Sequence, residues 1–418
     1  MLKNLLALFI ISAISLNENY CKEVQSKPLR FKDIWEKVKL WHPQIKLNQY
    51  FAEASNGAVL QAGLKPNPEI ELEMEEFGGK GSKSGFDDAT ILLGYSKEIE
   101  RGGKRHKRTA VAIAEMGLQD ISNSQATNEL FYEVREIYLD AVFSERKVQL
   151  ENELFQMAKE YEKVMNTMIT YGKASPLGLE RARIEVALVN TDLNEAKVNL
   201  KKDRNALVAY FGENIDGGEV RLDGGEIEIF LEEQELVSDF QKSLIKLSLA
   251  KSLELQEAIL ALENANAKSN FDIGVGLQKF MSNEETAFLL RFSVPLKKND
   301  RNQGNILAQK ARIQIEKESN RKTLLELQVK LYGLKQELNS LREKLNQFEN
   351  TIVPTANRLY KRMLQAQKAG KVNYLEVLEA RRTLVENRRA MLATKRELCK
   401  KINEFQQTLL IPRQELNQ

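Results

Sequence analysis

The sequence predicts an α+β membrane protein in which each chain supplies four short strands and four long helical passes, and three copies close a barrel of about twelve strands. Three observations lead there. The 418 residues include only 22 Gly and 8 Pro, too few breakers for anything but long helices. Four short segments alternate apolar and polar residues with the period of a strand. The whole pattern occurs twice.

Residues 1–22 read as a signal peptide: Lys3 precedes "LLALFIISAISL", an apolar run too short for a membrane span. No other apolar run approaches the roughly 18 residues that a spanning helix needs. Export without such a helix leaves the periplasm, the exterior or an outer-membrane barrel. Cys21 invites lipid modification, but "LNENY" before it lacks the small residues expected there. Cys21 and Cys399 could pair in an oxidising compartment if Cys21 survives cleavage; Cys399 reads as a buried helix residue. With 62 basic and 59 acidic residues, a net +3, the chain has too little positive excess for a nucleic-acid partner.

The plan then runs in order. Residues 23–66 form an N-terminal helical segment. Residues 67–101 make a first β-hairpin that opens on "PNPEIELEMEEF", where Glu69, Glu71, Glu73 and Glu75 alternate with Ile70, Leu72 and Met74. An extended strand puts all four carboxylates on one face, which suits the edge of a soluble sheet or a membrane strand with a wet side. Residues 102–211 make a first long helical hairpin: Lys104–Thr167 contains no Pro and only Gly117, so one helix can run for about 100 Å. Residues 212–267 form a linking segment with its own helix. In the second β-hairpin, 268–297, Phe271, Ile273, Val275 and Leu277 alternate with Asp272, Gly274, Gly276 and Gln278, while Phe288, Leu290, Phe292 and Val294 face away from Arg291 and Ser293. The second helical hairpin, 298–410, carries a heptad seam at Leu331, Leu334, Leu338, Leu341, Leu345, Phe348 and Ile352. Its returning helix has two stripes, Leu384, Met391, Leu398 and Phe405 beside Leu378, Val385 and Leu392, which imply neighbours on two sides. Residues 411–418 are a tail.

The repeat is concrete. "YGKASPLGLERAR" from Tyr171 matches "AGKVNYLEVLEARR" from Ala369 at an offset of 198 residues, and "LLGYSKEIERGGKR" from Leu92 matches "LLRFSVPLKKNDRN" from Leu289 at 197. Gly172 and Gly370 suit helix C-termini, and Ser175 and Asn373 suit the next N-caps. Four strands cannot close a membrane barrel, since the smallest need about eight, so closure requires partners; two copies would leave a filled lumen, three a wet one. Chemistry points away from an enzyme. His42 and His106 are the two histidines, and no metal-ligand spacing, cofactor fingerprint, phosphate loop or catalytic triad is present. The glycines of "RGGKR" fit a turn from strand into helix.

Four stretches, "QAGLKPNPEIELEMEEF", "EIERGGKRHKR", "VPLKKNDRNQGNILAQKAR" and "GKVNYLEVLEARR", together resemble the outer-membrane efflux protein family, the TolC-like channels, over nearly the whole mature chain. The nearest pattern is the heavy-metal, CzcC-type branch. The resemblance implies a homotrimer with its barrel among outer-membrane lipid, a helical tunnel through the periplasm, and docking to a periplasmic adaptor and a proton-driven inner-membrane pump of the RND type. It also implies passage of divalent heavy-metal cations; a duct for drugs or secreted proteins is the alternative, and a periplasmic coiled-coil scaffold the alternative of another class. Glu69, Glu71, Glu73 and Glu75 are expected to face the lumen, where like charges concentrate counter-ions, unless the strand is inverted. Glu376 and Glu379, three apart on one helix face, match the acidic pair of the family's periplasmic gate; a solvated helix face is the competing reading. The tips Gly172, Lys173, Ser175, Leu177, Gly370, Lys371, Asn373 and Leu375 are the expected adaptor contact.

Overall fold

The computed structural model describes residues 28–172, 175–212, 222–223 and 243–409. Cys21, Lys173, the signal region, most of the linking segment and the tail lie outside the described residues. In chain order come helices α1 (Phe31–Trp41) and α2 (Pro43–Ala62), strands β1 (Glu69–Glu75) and β2 (Thr90–Ile99), helices α3 (Lys104–Thr170), α4 (Pro176–Ala209) and α5 (Leu244–Asn266), and strands β3 (Phe271–Phe280) and β4 (Thr286–Ser293). Helix α6 (Gln303–Gln347), a π-helical segment (Phe348–Ile352), α7 (Val353–Lys368) and α8 (Tyr374–Leu409) complete the fold. Among the described residues no helix is long and apolar enough to cross a membrane.

The chain divides into two units. The first takes Lys46–Asn128 and Val237–Leu331 and holds the sheet; the second takes Met1–Ile45, Glu129–Leu236 and Tyr332–Gln407 and holds both helical turns. In the sheet unit the four strands are antiparallel in the order β1-β2-β3-β4; β1–β2 and β3–β4 are hairpins with short connections, whereas β2 and β3 pair although α3, α4 and α5 lie between them in sequence. The register places Ile70, Tyr95, Val275 and Leu290 side by side, and Leu72, Leu93, Leu277 and Phe288 in the next row. Side chains alternate across a strand, so these apolar rows share one face. That face is bare: Ile70 is 78% exposed, Leu72 74%, Leu290 77% and Phe288 91%.

The helices beneath the sheet are tied to it by polar contacts at element ends, where backbone groups lack partners. Arg108 of α3 donates to the carbonyls of Ala62 (3.1 Å) and Leu64 (3.0 Å) and to Glu100 (2.6 Å). Lys104 Nζ donates to Asn270 Oδ1 at 2.7 Å, and Asn270 Nδ2 to Glu98 at 2.6 Å. Burial, and then the charge of Lys297 nearby, lowers the Lys104 pKa. The glycines of "RGGKR" make the strand-to-helix turn, with φ of 79° at Gly102 and 69° at Gly103. Asn48 of α2 donates to Asn123 O (3.1 Å) and Thr127 Oγ1 (2.8 Å), and Asn123 donates back to Asn48 O (3.2 Å).

In the hairpin unit, Ile34, Trp35 and Val38 of α1 bury their faces against Phe131, Val134, Tyr138 and Val142 of α3 and Leu207 and Val208 of α4. Phe131 meets Phe31 at 4.9 Å and Trp35 at 5.2 Å with the rings steeply inclined, the edge-to-face geometry that ring quadrupoles favour. The expected heptad seam is buried at Leu334, Leu338, Leu341, Leu345 and Phe348, and the returning stripe at Leu384, Leu398 and Phe405; Cys399 is fully buried in the cluster of α1, α3 and α4. The π-helical segment ends at Ile352, two residues before Pro354, which has no N–H to give the preceding turn and whose ring crowds it. A sequence reading in heptads had no reason to expect that widening.

Charge binds α8 to its neighbours. Arg396 pairs with Asp140 at 2.7 Å and Lys400 with Glu136 at 3.0 Å on α3; Lys401 pairs with Glu337 at 2.9 Å on α6. Arg389 reaches both the buried Glu151 of α3 and Asp192 of α4, the latter at 2.7 Å. Burial works against the charge of Arg389, and the hydrogen bonds to Glu151 and Asp192 outweigh it, so its pKa is raised. Breaking such a pair from one side would strand a buried charge.

Both helical turns end alike. Gly172 and Gly370 have φ of 67° and 73°. At the second turn the amide of Gly370 donates to Gln367 O and that of Lys371 to Ala366 O, each at 2.9 Å, the paired bonds of a Schellman motif. Gly370→Ala is expected to destabilise this turn by about 1–2 kcal/mol, the cost of a left-handed backbone for a residue with Cβ, lowering the thermal midpoint of the purified protein. Near the same turn, Tyr161 is 3% exposed and accepts a hydrogen bond from Gln367 Nε2 at 3.1 Å. Burial pushes its pKa up to about 12, against about 10 unfolded. Its contribution is whole below pH about 10 and lost as pH rises toward 12; thermal scans across that range should show the decline, and Tyr161→Phe should flatten it.

Candidate functional site

The polar face of the sheet brings Glu69, Glu71, Glu73 and Glu75 together with residues from all four strands. Glu71 stands in register with Gly94, Gly276 and Leu289, and Glu69 with Ser96, Gly274 and Arg291. Arg291 of β4 forms an ion pair with Glu71 of β1, from one edge of the sheet to the other. Glycine makes the crossing possible. A Cβ at Gly94 would lie 3.6 Å from Glu71 Oε2, and one at Gly274 would lie 3.6 Å from Arg291 Cβ, so side chains at these positions of the middle strands would crowd the two that meet above them. In a flat sheet the axes of β1 and β4 stand about 14 Å apart, three strand spacings, and side chains leave it roughly perpendicular. A contact across that width points to a sheet curled toward its polar face.

Sequence reasoning set Arg291 on the right face and missed its partner. The two residues lie 220 apart in the chain, and only the inter-strand register brings them together. The four glutamates of β1 thus share their face with a resident cation.

At the second helical turn, Glu376 and Glu379 are both exposed, while Val377 and Ala380 between and beside them are buried. The two carboxylates differ in what they touch. Asn373 Oδ1 accepts from the Glu376 amide at 3.0 Å, and Glu376 Oε2 accepts from the Asn373 amide at 3.0 Å. This reciprocal pair is a capping box; Glu376 therefore starts α8 as well as presenting charge. No side-chain partner of Glu379 is among the contacts of the described residues, although its carbonyl accepts from Thr383 Oγ1 at 3.0 Å. At the first turn Ser175 caps α4 through the Leu177 amide at 3.3 Å. There the place of Glu376 is taken by Gly178, where a Cβ would lie 2.7 Å from Met165 Cε.

The remaining tip residues are partly bare: Leu177 is 73% exposed and Leu375 55%. Ser175, Leu177, Gly370, Lys371 and Asn373 line a cavity of about 610 Å³ with Gln367 and Tyr374; Gly172 forms the first turn beside it, and Lys173 lies outside the described residues. Below the cavity, Arg381 forms an ion pair with Glu185 in which the arginine side chain is 4% exposed. His106 is exposed and His42 stacks on Tyr210 at 5.6 Å; among the described residues no group of three or more His, Cys, Asp or Glu could hold a metal ion.

Comparisons with known proteins bear on the fold and the family. A family model described as outer membrane efflux protein matches residues 40–213 and 276–408. The cobalt-zinc-cadmium resistance protein CzcC of Cupriavidus metallidurans is 24% identical over 340 residues, covering 80% of this chain and 79% of that protein. Among solved structures, the outer membrane protein VceC of Vibrio cholerae superposes with a TM-score of 0.71 at 16% identity, covering 91% of this chain and 96% of its own. CusC superposes with a TM-score of 0.73 at 14% identity, covering 91% of each chain. The fold is thus the one these channels share, and the chain belongs to the outer membrane efflux protein family.

Proposed function

We propose that three copies of this outer-membrane protein enclose a passive exit duct for divalent heavy-metal cations, the last component of a tripartite efflux assembly. A periplasmic adaptor would seat on the helical tips, and a proton-driven inner-membrane pump of the RND type would supply the solute. The Arg291–Glu71 contact across the sheet carries this reading. Curl toward the polar face makes that face the inside of an arc, and the apolar rows its outside. Three such arcs joined edge to edge give a wall that is oily without and wet within. The cation cargo is supported by the acidic strand, which concentrates positive ions, and by the relative named for resistance to cobalt, zinc and cadmium. Glu376 and Glu379 would ring the periplasmic end as a gate.

Two experiments test this. Leu290→Arg places a charge in the middle of the apolar face, a cost of about 2–4 kcal/mol per copy for a strand at the membrane midplane. It should abolish heat-resistant trimers in outer-membrane fractions; normal trimers would remove the barrel. Glu376→Gln with Glu379→Gln keeps a residue able to close the capping box, whereas Asn373→Ala loses the cap at about 1 kcal/mol and serves as the folding control. The double variant should weaken cation block from the periplasmic side of a planar bilayer, and an unchanged current–voltage curve would remove the gate assignment.

A further inference from the structure

The four glutamates of β1 follow one another at every second position, about 7 Å apart along the strand. Neighbouring carboxylates at that spacing can hold a divalent cation between them, directly or through its waters. Such a run would retain the ion that it ought to release, because conduction needs sites that are entered readily and left readily.

Arg291 interrupts the run. By register it is the one Lys or Arg on the polar face among the described strand residues, since Lys97 and Lys279 fall in the rows of Ile273 and Ile91 on the apolar face. Its guanidinium occupies Glu71, which separates Glu69 from the other carboxylates of β1 and leaves only Glu73 and Glu75 adjacent on that strand; Glu98 and Asp272 stand opposite each other in the row beyond Glu69. A guanidinium suits the task, since it stays charged at any physiological pH and matches a carboxylate with a fork of donors. The bare backbone at Gly94, Gly274 and Gly276 keeps the route between the two residues open.

We propose that Arg291 is a specificity-determining residue of the passage: a resident counter-cation seated on the second of four carboxylates, which weakens the retention of divalent cations by the acidic strand. This rests on the reading of the polar face as the lumen. The test is block of single-channel current in a planar bilayer by Cd²⁺ added on the side of the β1–β2 and β3–β4 loops. Arg291→Gln should lower the half-blocking concentration several-fold, Glu71→Gln added to it should restore the wild-type value, and Arg291→Lys, which keeps the charge, should stay close to wild type. If Glu73→Gln raises the half-blocking concentration while Arg291→Gln leaves it unchanged, the role of Arg291 is overturned and the lumen reading stands. If Arg291→Lys behaves as Arg291→Gln, the counter-charge account is overturned. If none of these variants alters block, the polar face does not line the passage and both readings fall.

Discussion

A sheet of four strands with two open edges governs everything else in this protein. β1 and β4 are the outer strands of the order β1-β2-β3-β4, and each has an outer edge that pairs with no other strand among the described residues. In water such an edge is a hazard; in hydrocarbon it is untenable, because each unsatisfied group costs several kcal/mol. The apolar rows of the sheet, bare to the extent of Phe288 at 91%, call for hydrocarbon. One demand removes water and the other demands a substitute for it. In the proposed trimer, copies of the same chain would satisfy both, joining β4 of one to β1 of the next.

The internal duplication set the plan, and its halves have since diverged in what they bury. Ala182 and Ala380 occupy matching places and are both buried, as expected of small residues where helices approach. Their neighbours Arg183 and Arg381 also match in sequence. Arg183 meets Glu180 at 2.9 Å and Glu162 at 3.7 Å on a half-exposed surface, worth little in water; Arg381 is sealed in with Glu185. At this matched position it is the arginine of the second hairpin that is buried.

Much of this was legible from the residues alone, because the features concerned are local or periodic. Alternation located all four strands, heptads located the seam, and a glycine followed three residues later by Ser175 or Asn373 located both turns and their caps. What escaped depended on register or on distance along the chain. The ion pair of Arg291 with Glu71 requires three strand pairings to be known at once. The capping role of Glu376 was within reach, since Asn373 three residues before a Glu is a capping-box pattern, but the charge of the residue drew attention from its position. The cationic side of α8 was hidden for another reason: Arg389, Arg396 and Lys400 look like ordinary solvated residues until their partners on α3 and α4 are in place.

The widened turn at Phe348–Ile352 keeps two runs of packing in phase. Before it the buried positions are Leu334, Leu338, Leu341, Leu345 and Phe348; beyond it they are Ala356, Tyr360 and Gln367. Continuing the earlier steps of three and four would have reached 355, 359 and 366. Every later position falls one residue further on, which is the surplus that a single π turn absorbs. The helix thus carries a supernumerary residue without rotating its greasy edge away from its neighbours, and a chain shorter by one at this point could run as unbroken α-helix with both ends of the seam still aligned.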